Sequence, residues 1–332
     1  MERDTNVQMS GLQLSPDQVA AAAEIIGRIV DNIDTVIIGK RKLVELVLLT
    51  LVSGGHVLIE DVPGVGKTSL VHALARSIDC GFKRIQFTPD IMPSDVTGFS
   101  VYNQKTGEFE FRPGSVMSNI ILADEINRAS AKTQSSMLEA MEERQVTVDA
   151  ETYELREPFM VLATQNPIES FGTYPLPEAQ IDRFFVKITL GYPLFEEEAK
   201  VVTMSGRAKS LQAVAGAEDV VNLQQLATRV TVHPMLVKYI VELVTATRNH
   251  PDLTLGSSPR GGIVIYKMSR AYALMKNRNY VLPDDIKYLA PYILAHRVML
   301  THDAKISRKS PGDVVKSILN TVLVPVELED AG

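Results

Sequence analysis

The chain has 332 residues, 45% of them hydrophobic and 22% charged, which is enough apolar material for about two packed domains. Its net charge of −6 gives no general attraction to phosphate polymers, so nucleic acid is not an expected partner, and its single cysteine, Cys80, excludes an internal disulfide. The most apolar stretch, Val44 to Val52, carries Glu45 and Thr50 and falls well short of the roughly 20 apolar residues a bilayer crossing needs, so no membrane span is expected.

Read from the N-terminus, Met1-Glu2-Arg3-Asp4-Thr5-Asn6 lacks the basic and apolar regions of a signal peptide, and a cytoplasmic location is expected. Residues 1–14 read as a disordered tail. Ordered structure starts at Ser15-Pro16-Asp17-Gln18, where Ser is a natural N-cap, Pro suits the first helical position and Gln can reach back to close a capping box. That helix should run to about Ile33. Val36-Ile37-Ile38-Gly39 reads as a short extended segment, and Leu43, Val47 and Leu48 recur at helical spacing in a second helix from about Lys40 to Leu51.

An apolar strand-like run, His56-Val57-Leu58-Ile59, then feeds Asp61-Val62-Pro63-Gly64-Val65-Gly66-Lys67-Thr68. This has the chemistry of a phosphate-binding loop: glycines let backbone N–H groups curl round an anion, Lys67 brings a point charge, and the Thr68 hydroxyl can ligate Mg²⁺. The strict pattern asks for Gly where Asp61 stands, so on this segment alone a plain strand-to-helix turn remains the alternative. His56, entering an apolar strand, reads as a structural histidine. Val52-Ser53-Gly54-Gly55-His56 imitates the signature motif of transporter ATPases, but it precedes the loop instead of following it and reads as a helix-to-strand turn.

Three further apolar runs, Ile85 to Phe87, Ile120 to Ala123 and Phe159 to Ala163, suit strands of a parallel sheet buried on both faces. Hairpin-like inserts separate them, one near residues 99–112 with a turn at Gln104 to Gly107, the other near residues 145–156. The second strand ends in Asp124-Glu125, two carboxylates at the C-terminal sheet edge where open α/β sheets bind ligands. Asp124 there can hold Mg²⁺ through its water shell and Glu125 can polarise the water that attacks the γ-phosphate; the alternative is that Asp124 caps a helix from about Ile126 to Glu143. The third run ends in Thr164-Gln165-Asn166-Pro167, making Asn166 a candidate to orient that water, against a common Asn-Pro turn. Arg183 is either an arginine finger acting on a neighbouring subunit or a surface residue paired with Asp182 or Glu178. Arg260 follows Ser258-Pro259, a natural N-cap and first helical residue, so a cation sits at the positive end of a helix; a bound anion relieves that conflict, and simple solvation is the alternative.

Beyond about Gly191 helical periodicity takes over, over Glu196 to Met204, Pro234 to Thr247, Pro259 to Met275, Pro283 to Val298 and Pro311 to Thr321, with a small-residue loop near Ala213 to Ala217. The reading is an α/β domain over residues 1–190 followed by an all-helical domain over residues 191–332.

These elements together resemble the AAA+ ATPases and, within them, the MoxR family, whose loop commonly reads as Glu60 to Thr68 does here, Asp61 included. The resemblance spans nearly the whole chain. It implies a P-loop domain with a parallel sheet sandwiched by helices, plus a C-terminal helical lid, with ATP and Mg²⁺ between them. Ile38 and Gly39 are then expected near the adenine, and Val62, Pro63, Gly64, Val65, Gly66, Lys67, Thr68 and Ser69 around the phosphates. Thr68 and Asp124 serve the metal, Glu125 the water, Asn166 is sensor 1, Arg183 the arginine finger and Arg260 sensor 2. The family also implies a ring homo-oligomer, most simply a hexamer, a partner with a von Willebrand factor A domain, and chaperone-like work in assembling complexes or inserting metal cofactors. The lack of an Asn-Lys-x-Asp guanine-specificity element favours ATP over GTP. A helicase-like nucleic-acid motor, disfavoured by the acidic balance, and a slow ATP-dependent regulatory switch are the rival classes.

Overall fold

Val57 to Ile59 are apolar without interruption because the strand they form has no solvent face. In the computed structural model, which describes residues 14–62, 64–166, 173–204 and 211–325, the chain runs through α1 (Pro16–Asp34), α2 (Arg41–Val52), β1 (Val57–Glu60), α3 (Lys67–Ser77), β2 (Phe82–Gln86), α4 (Pro93–Thr97), β3 (Gly98–Asn103) and β4 (Glu108–Pro113). There follow β5 (Ile120–Asp124), a 3₁₀ turn (Ile126–Arg128), α5 (Ala131–Glu143), β6 (Gln145–Val148), β7 (Glu151–Glu154), β8 (Met160–Gln165), α6 (Glu178–Ile181), β9 (Val186–Ile188) and α7 (Phe195–Met204). The remainder is α8 (Ala217–Thr228), α9 (Pro234–Arg248), β10 (Leu253–Leu255), α10 (Pro259–Met275), α11 (Pro283–Leu294), β11 (Met299–Leu300), α12 (His302–Ile306) and α13 (Pro311–Thr321). Of the expected tail over residues 1–14, residues 1–13 lie outside the described residues, as does Pro63, while Leu14 is buried at 4% exposure and belongs to the ordered part.

Residues 28–221 form one compact unit. Its five-stranded sheet has the order β2-β5-β8-β1-β9, and each neighbouring pair is parallel. The central strands β1, β5 and β8 are buried along nearly their whole length, which explains their unbroken apolar sequence. One core cluster joins Leu58, Ile121, Ala123, Val161 and Ala163 of these strands to Met137, Leu138 and Met141 of α5. Truncating any one of these larger side chains to Ala is worth about 2–5 kcal/mol. The two antiparallel hairpins, β3–β4 and β6–β7, fall where the sequence places them, and the Phe111 and Tyr153 rings join them by stacking at 3.9 Å and 11°. Asp149 and Ala150, at φ 49° and 68°, make the tight turn of the second.

Several local expectations are corrected. Val36 to Gly39 is a pair of turns, because the Val36 and Ile37 N–H groups both donate back to Ile33 O and Gly39 turns left-handed at φ 73°. The helix expected over Ile126 to Glu143 breaks at Ser130, whose Oγ accepts the Thr133 N–H and caps a new helix. The sheet also has a fifth strand, β9, which three residues including Lys187 are too few to announce.

The other compact unit comprises, among the described residues, 222–325 and 14–27. At its start the predicted capping box is formed: Gln18 N–H donates to Ser15 Oγ at 3.2 Å and Ser15 N–H to Gln18 Oε1 at 3.1 Å. Its core includes Tyr239, Leu243, Val264, Ile265, Met268, Ile286, Leu289, Ile293, Val315 and Ile318, all nearly solvent-free. Helices dominate, as expected, with a small β10–β11 ladder added. The helix expected to reach Val298 ends at Leu294, shortly after the internal Pro291, and Arg297 Nη1 donates to the Ile293 carbonyl freed there.

Candidate functional site

The parallel register brings the loop after Glu60, the Asp124–Glu125 pair and Asn166 to one edge of the sheet, whereas Arg183 precedes β9 and lies at the opposite end of the strands. Because β8 lies between β5 and β1, the chain leaving β5 at Asp124, β8 at Gln165 and β1 at Glu60 emerges side by side. Asp61 N–H donates to Gln165 O at 3.2 Å, so Asn166, buried at 7% exposure, follows directly on the residue that anchors the loop. Glu60 is held from both sides, by Gln165 Nε2 at 2.8 Å and Lys187 Nζ at 2.7 Å.

Asp61, the residue that breaks the strict loop pattern, is buried at 5% exposure. Its Oδ1 accepts the Val62 N–H at 2.9 Å and its Oδ2 the Gly191 N–H at 2.8 Å, so it fixes the start of the loop to the segment after β9. Gly64 and Gly66 adopt φ 86° and 95°, which side-chain-bearing residues rarely do, and no atom lies within 4 Å of where a Cβ would stand at either. Gly66 is the N-cap of α3 and offers no side-chain cap, leaving the first-turn N–H groups for an external anion. Lys67 Nζ donates to two loop carbonyls, Asp61 O at 3.1 Å and Val62 O at 3.2 Å, while Thr68 and Ser69 are exposed at the start of the helix and Val65 is half-buried. An open glycine cradle, an uncapped helix start and a lysine over the loop fit a polyphosphate. A hydroxyl at Thr68 and a carboxylate at Asp124 are the hard oxygen donors that Mg²⁺ takes.

Asp124 and Glu125 are organised by Thr164, which no local motif marks. Thr164 Oγ1 donates to Asp124 Oδ1 at 2.6 Å and accepts the Glu125 N–H at 2.9 Å. Arg84 of β2, likewise unmarked, donates to Asp124 Oδ2 from Nη2 at 2.6 Å and Nε at 3.2 Å. Glu125 is left-handed at φ 57°, and its carboxylate meets Arg128 Nε at 2.8 Å. No spacing along a single strand announces the Thr164 and Arg84 contacts, because each depends on the register between neighbouring strands.

Gly39 lies directly against the Glu197 carboxylate of α7, and Lys40 Nζ donates to Tyr192 O at 3.2 Å, so the Ile38–Gly39 turn is seated on the segment leaving β9. Arg183 pairs with Glu142 of α5 at 3.1 Å, not with the sequence-local Asp182 or Glu178, because the turn after α6 directs it across to that helix. The pair is half-exposed, at 31% and 39%. Arg260 belongs to the other unit; Ser258 caps α10 as read from the sequence, accepting the Arg260 N–H at 3.1 Å, with Pro259 at the first position.

His56 is structural. Val161 N–H donates to its Nδ1 at 3.0 Å, so Nε2 carries the proton and donates to Met141 O at 3.0 Å. Burial, with the Arg144 charge added, pushes its pKa down from 6.5 to about 3. Gly55 before it has the Phe185 ring where a Cβ would stand, consistent with a turn and not a ligand loop.

Comparison with known proteins places the chain. Residues 56–186 match the profile of the ATPase family associated with various cellular activities, and residues 245–318 match that of the AAA lid domain. The chain is 53% identical to the uncharacterized protein YeaC of Bacillus subtilis, over 91% of this chain and 96% of that protein. It is 43% identical to chaperone MoxR1 of Mycobacterium tuberculosis, over 92% and 84% of the two chains. It is 27% identical to protein MoxR of Methylorubrum extorquens, over 87% and 92%. A crystal structure of a candidate ATPase from Cytophaga hutchinsonii superposes with a TM-score of 0.87 at 41% identity, covering 93% of this chain and 97% of that one. The chain therefore belongs to the MoxR family of AAA+ ATPases.

Proposed function

We propose that the protein hydrolyses Mg²⁺-bound ATP at interfaces between subunits of a homo-oligomeric ring, most simply a hexamer, and uses the cycle to remodel a protein client. The observation that carries the chemistry is the common sheet edge: the open Gly64–Gly66 loop, the Asp124–Glu125 pair and Asn166 all emerge from adjacent parallel strands. The loop N–H groups and Lys67 bind the phosphates, and Ile38 and Gly39 border the base. Thr68 and Asp124 hold the metal, which neutralises charge developing on the transferred phosphoryl group. Glu125 takes the proton of the attacking water, Asn166 orients that water, and Arg260 of the lid stabilises phosphate charge.

The interfacial part of the reading rests on Arg183. A half-exposed guanidinium held by a surface carboxylate is accessible from outside its own subunit, which supports that reading. The chaperone role rests on the relative named chaperone MoxR1. From the family resemblance, and not from that name, we propose further that it acts in maturation or assembly of a protein complex, or insertion of a metal cofactor, with a von Willebrand factor A domain protein as partner.

Phosphate release and fluorescent-nucleotide binding test the chemistry. Glu125→Gln is expected to bind ATP while turnover falls about 100-fold or more, the usual weight of a general base. Lys67→Ala is expected to lose nucleotide binding itself. Undiminished turnover in Glu125→Gln contradicts the assignment.

A further inference from the structure

Asp124, which the proposed function gives to the metal, already has a cation. Its side chain is only 11% exposed, and a carboxylate that deep in a sheet edge requires a compensating charge. Arg84 supplies it through Nη2 at 2.6 Å and Nε at 3.2 Å on the same oxygen, Oδ2, while Thr164 occupies Oδ1. The contact is set by strand register: Arg84 pairs with Leu122 and Gln86 with Asp124, so residues 84, 86, 122 and 124 project from one face. Arg84 is itself 48% exposed, and Nη2 has a second acceptor, Gln86 Oε1, at 2.9 Å. The guanidinium therefore sits on the rim with a place to go, whereas the carboxylate has none.

We propose that Arg84 is an intramolecular counter-cation that holds Asp124 while no metal is bound and is displaced, onto Gln86 and solvent, when Mg²⁺ enters with the nucleotide. This rests on the assignment of Asp124 to the metal. The hydrated metal and the guanidinium compete for one carboxylate, so the arginine steadies Asp124 without metal and also sets the Mg²⁺ concentration at which the site fills. A residue that merely braced the sheet would affect stability equally with and without metal.

The test is a Mg²⁺ titration of fluorescent-ADP binding, beside melting temperatures in EDTA and in Mg²⁺-ADP, for the full chain. Arg84→Gln is expected to lower the half-saturating Mg²⁺ concentration about fivefold, the size of a partly exposed ion pair lost from the competing side. It is also expected to lower the melting temperature more in EDTA than in Mg²⁺-ADP. An unchanged or raised Mg²⁺ midpoint overturns the proposal. Should Arg84→Gln not fold, Arg84→Lys, which keeps the charge but loses the forked geometry, is expected to shift the midpoint the same way by about twofold, and no shift overturns the proposal equally. Asp124→Asn separates the two claims. If it leaves the Mg²⁺ midpoint at the wild-type value, the metal assignment fails; if it raises the midpoint while Arg84→Gln shifts nothing, only the role of Arg84 fails.

Discussion

Asp61 reaches across the sheet edge to Gly191, accepting its N–H at 2.8 Å, and so ties the first residue of the phosphate loop to the chain leaving the last strand. With the Val62 N–H at 2.9 Å on the other oxygen, one buried carboxylate satisfies two backbone donors. Asp61→Ala is expected to leave both without an acceptor, at a cost of about 2 kcal/mol in stability, and to weaken nucleotide binding without touching any group that contacts phosphate. Equilibrium unfolding and nucleotide titration check this together. Wild-type affinity in Asp61→Ala would show that the loop holds its shape unaided.

His56 makes the stability of the sheet pH-dependent in a stated direction. Its native pKa of about 3 lies below the ordinary 6.5, so between those values the unfolded chain binds a proton that the native one does not. The contribution is complete above pH 6.5 and is lost as pH falls towards 3, at up to about 1.4 kcal/mol per pH unit. Urea midpoints measured from neutral pH downwards should fall less steeply in His56→Gln, which can accept from Val161 and donate to Met141 without titrating. Equal slopes would contradict the assignment.

In the helical unit, Arg278 forks onto Asp285, Nη1 to Oδ2 at 2.9 Å and Nη2 to Oδ1 at 2.7 Å, and Asp285 also accepts the Leu282 N–H at the start of α11. Asp285 is 5% exposed in this pair. Arg278→Ala leaves that carboxylate buried without its partner, and a loss of about 3 kcal/mol is expected, seen as earlier melting of the helical unit. The double variant Arg278→Ala with Asp285→Asn should recover part of it.

What the sequence discloses follows local rules. The helix start at Gly66-Lys67, the capping box at Ser15 and Gln18, and the Ser258-Pro259 helix start are each set by residues a few positions apart, and each has the expected local geometry. Ser130 is also local, but its cap was hidden inside a longer helical pattern. The contacts that organise the carboxylates were not legible. Arg84 meets Asp124, and Thr164 meets both Asp124 and Glu125, only because β2, β5 and β8 adopt a particular order and register, which no spacing within one strand encodes. Arg183 illustrates the same limit: the sequence offers Asp182 and Glu178 as carboxylate neighbours, and the ion pair is made with Glu142 of α5.

The most direct test of the central claim, an active site shared between subunits, is the ATPase rate per subunit against protein concentration for wild type, Arg183→Ala, Glu125→Gln and a half-and-half mixture of the two variants. The account predicts a specific rate that rises with concentration, is lost in each variant and partly returns in the mixture, where an intact Glu125 site can meet a neighbour's Arg183. A rate that is independent of concentration and unaffected by Arg183→Ala would contradict it and leave a self-contained, monomeric site.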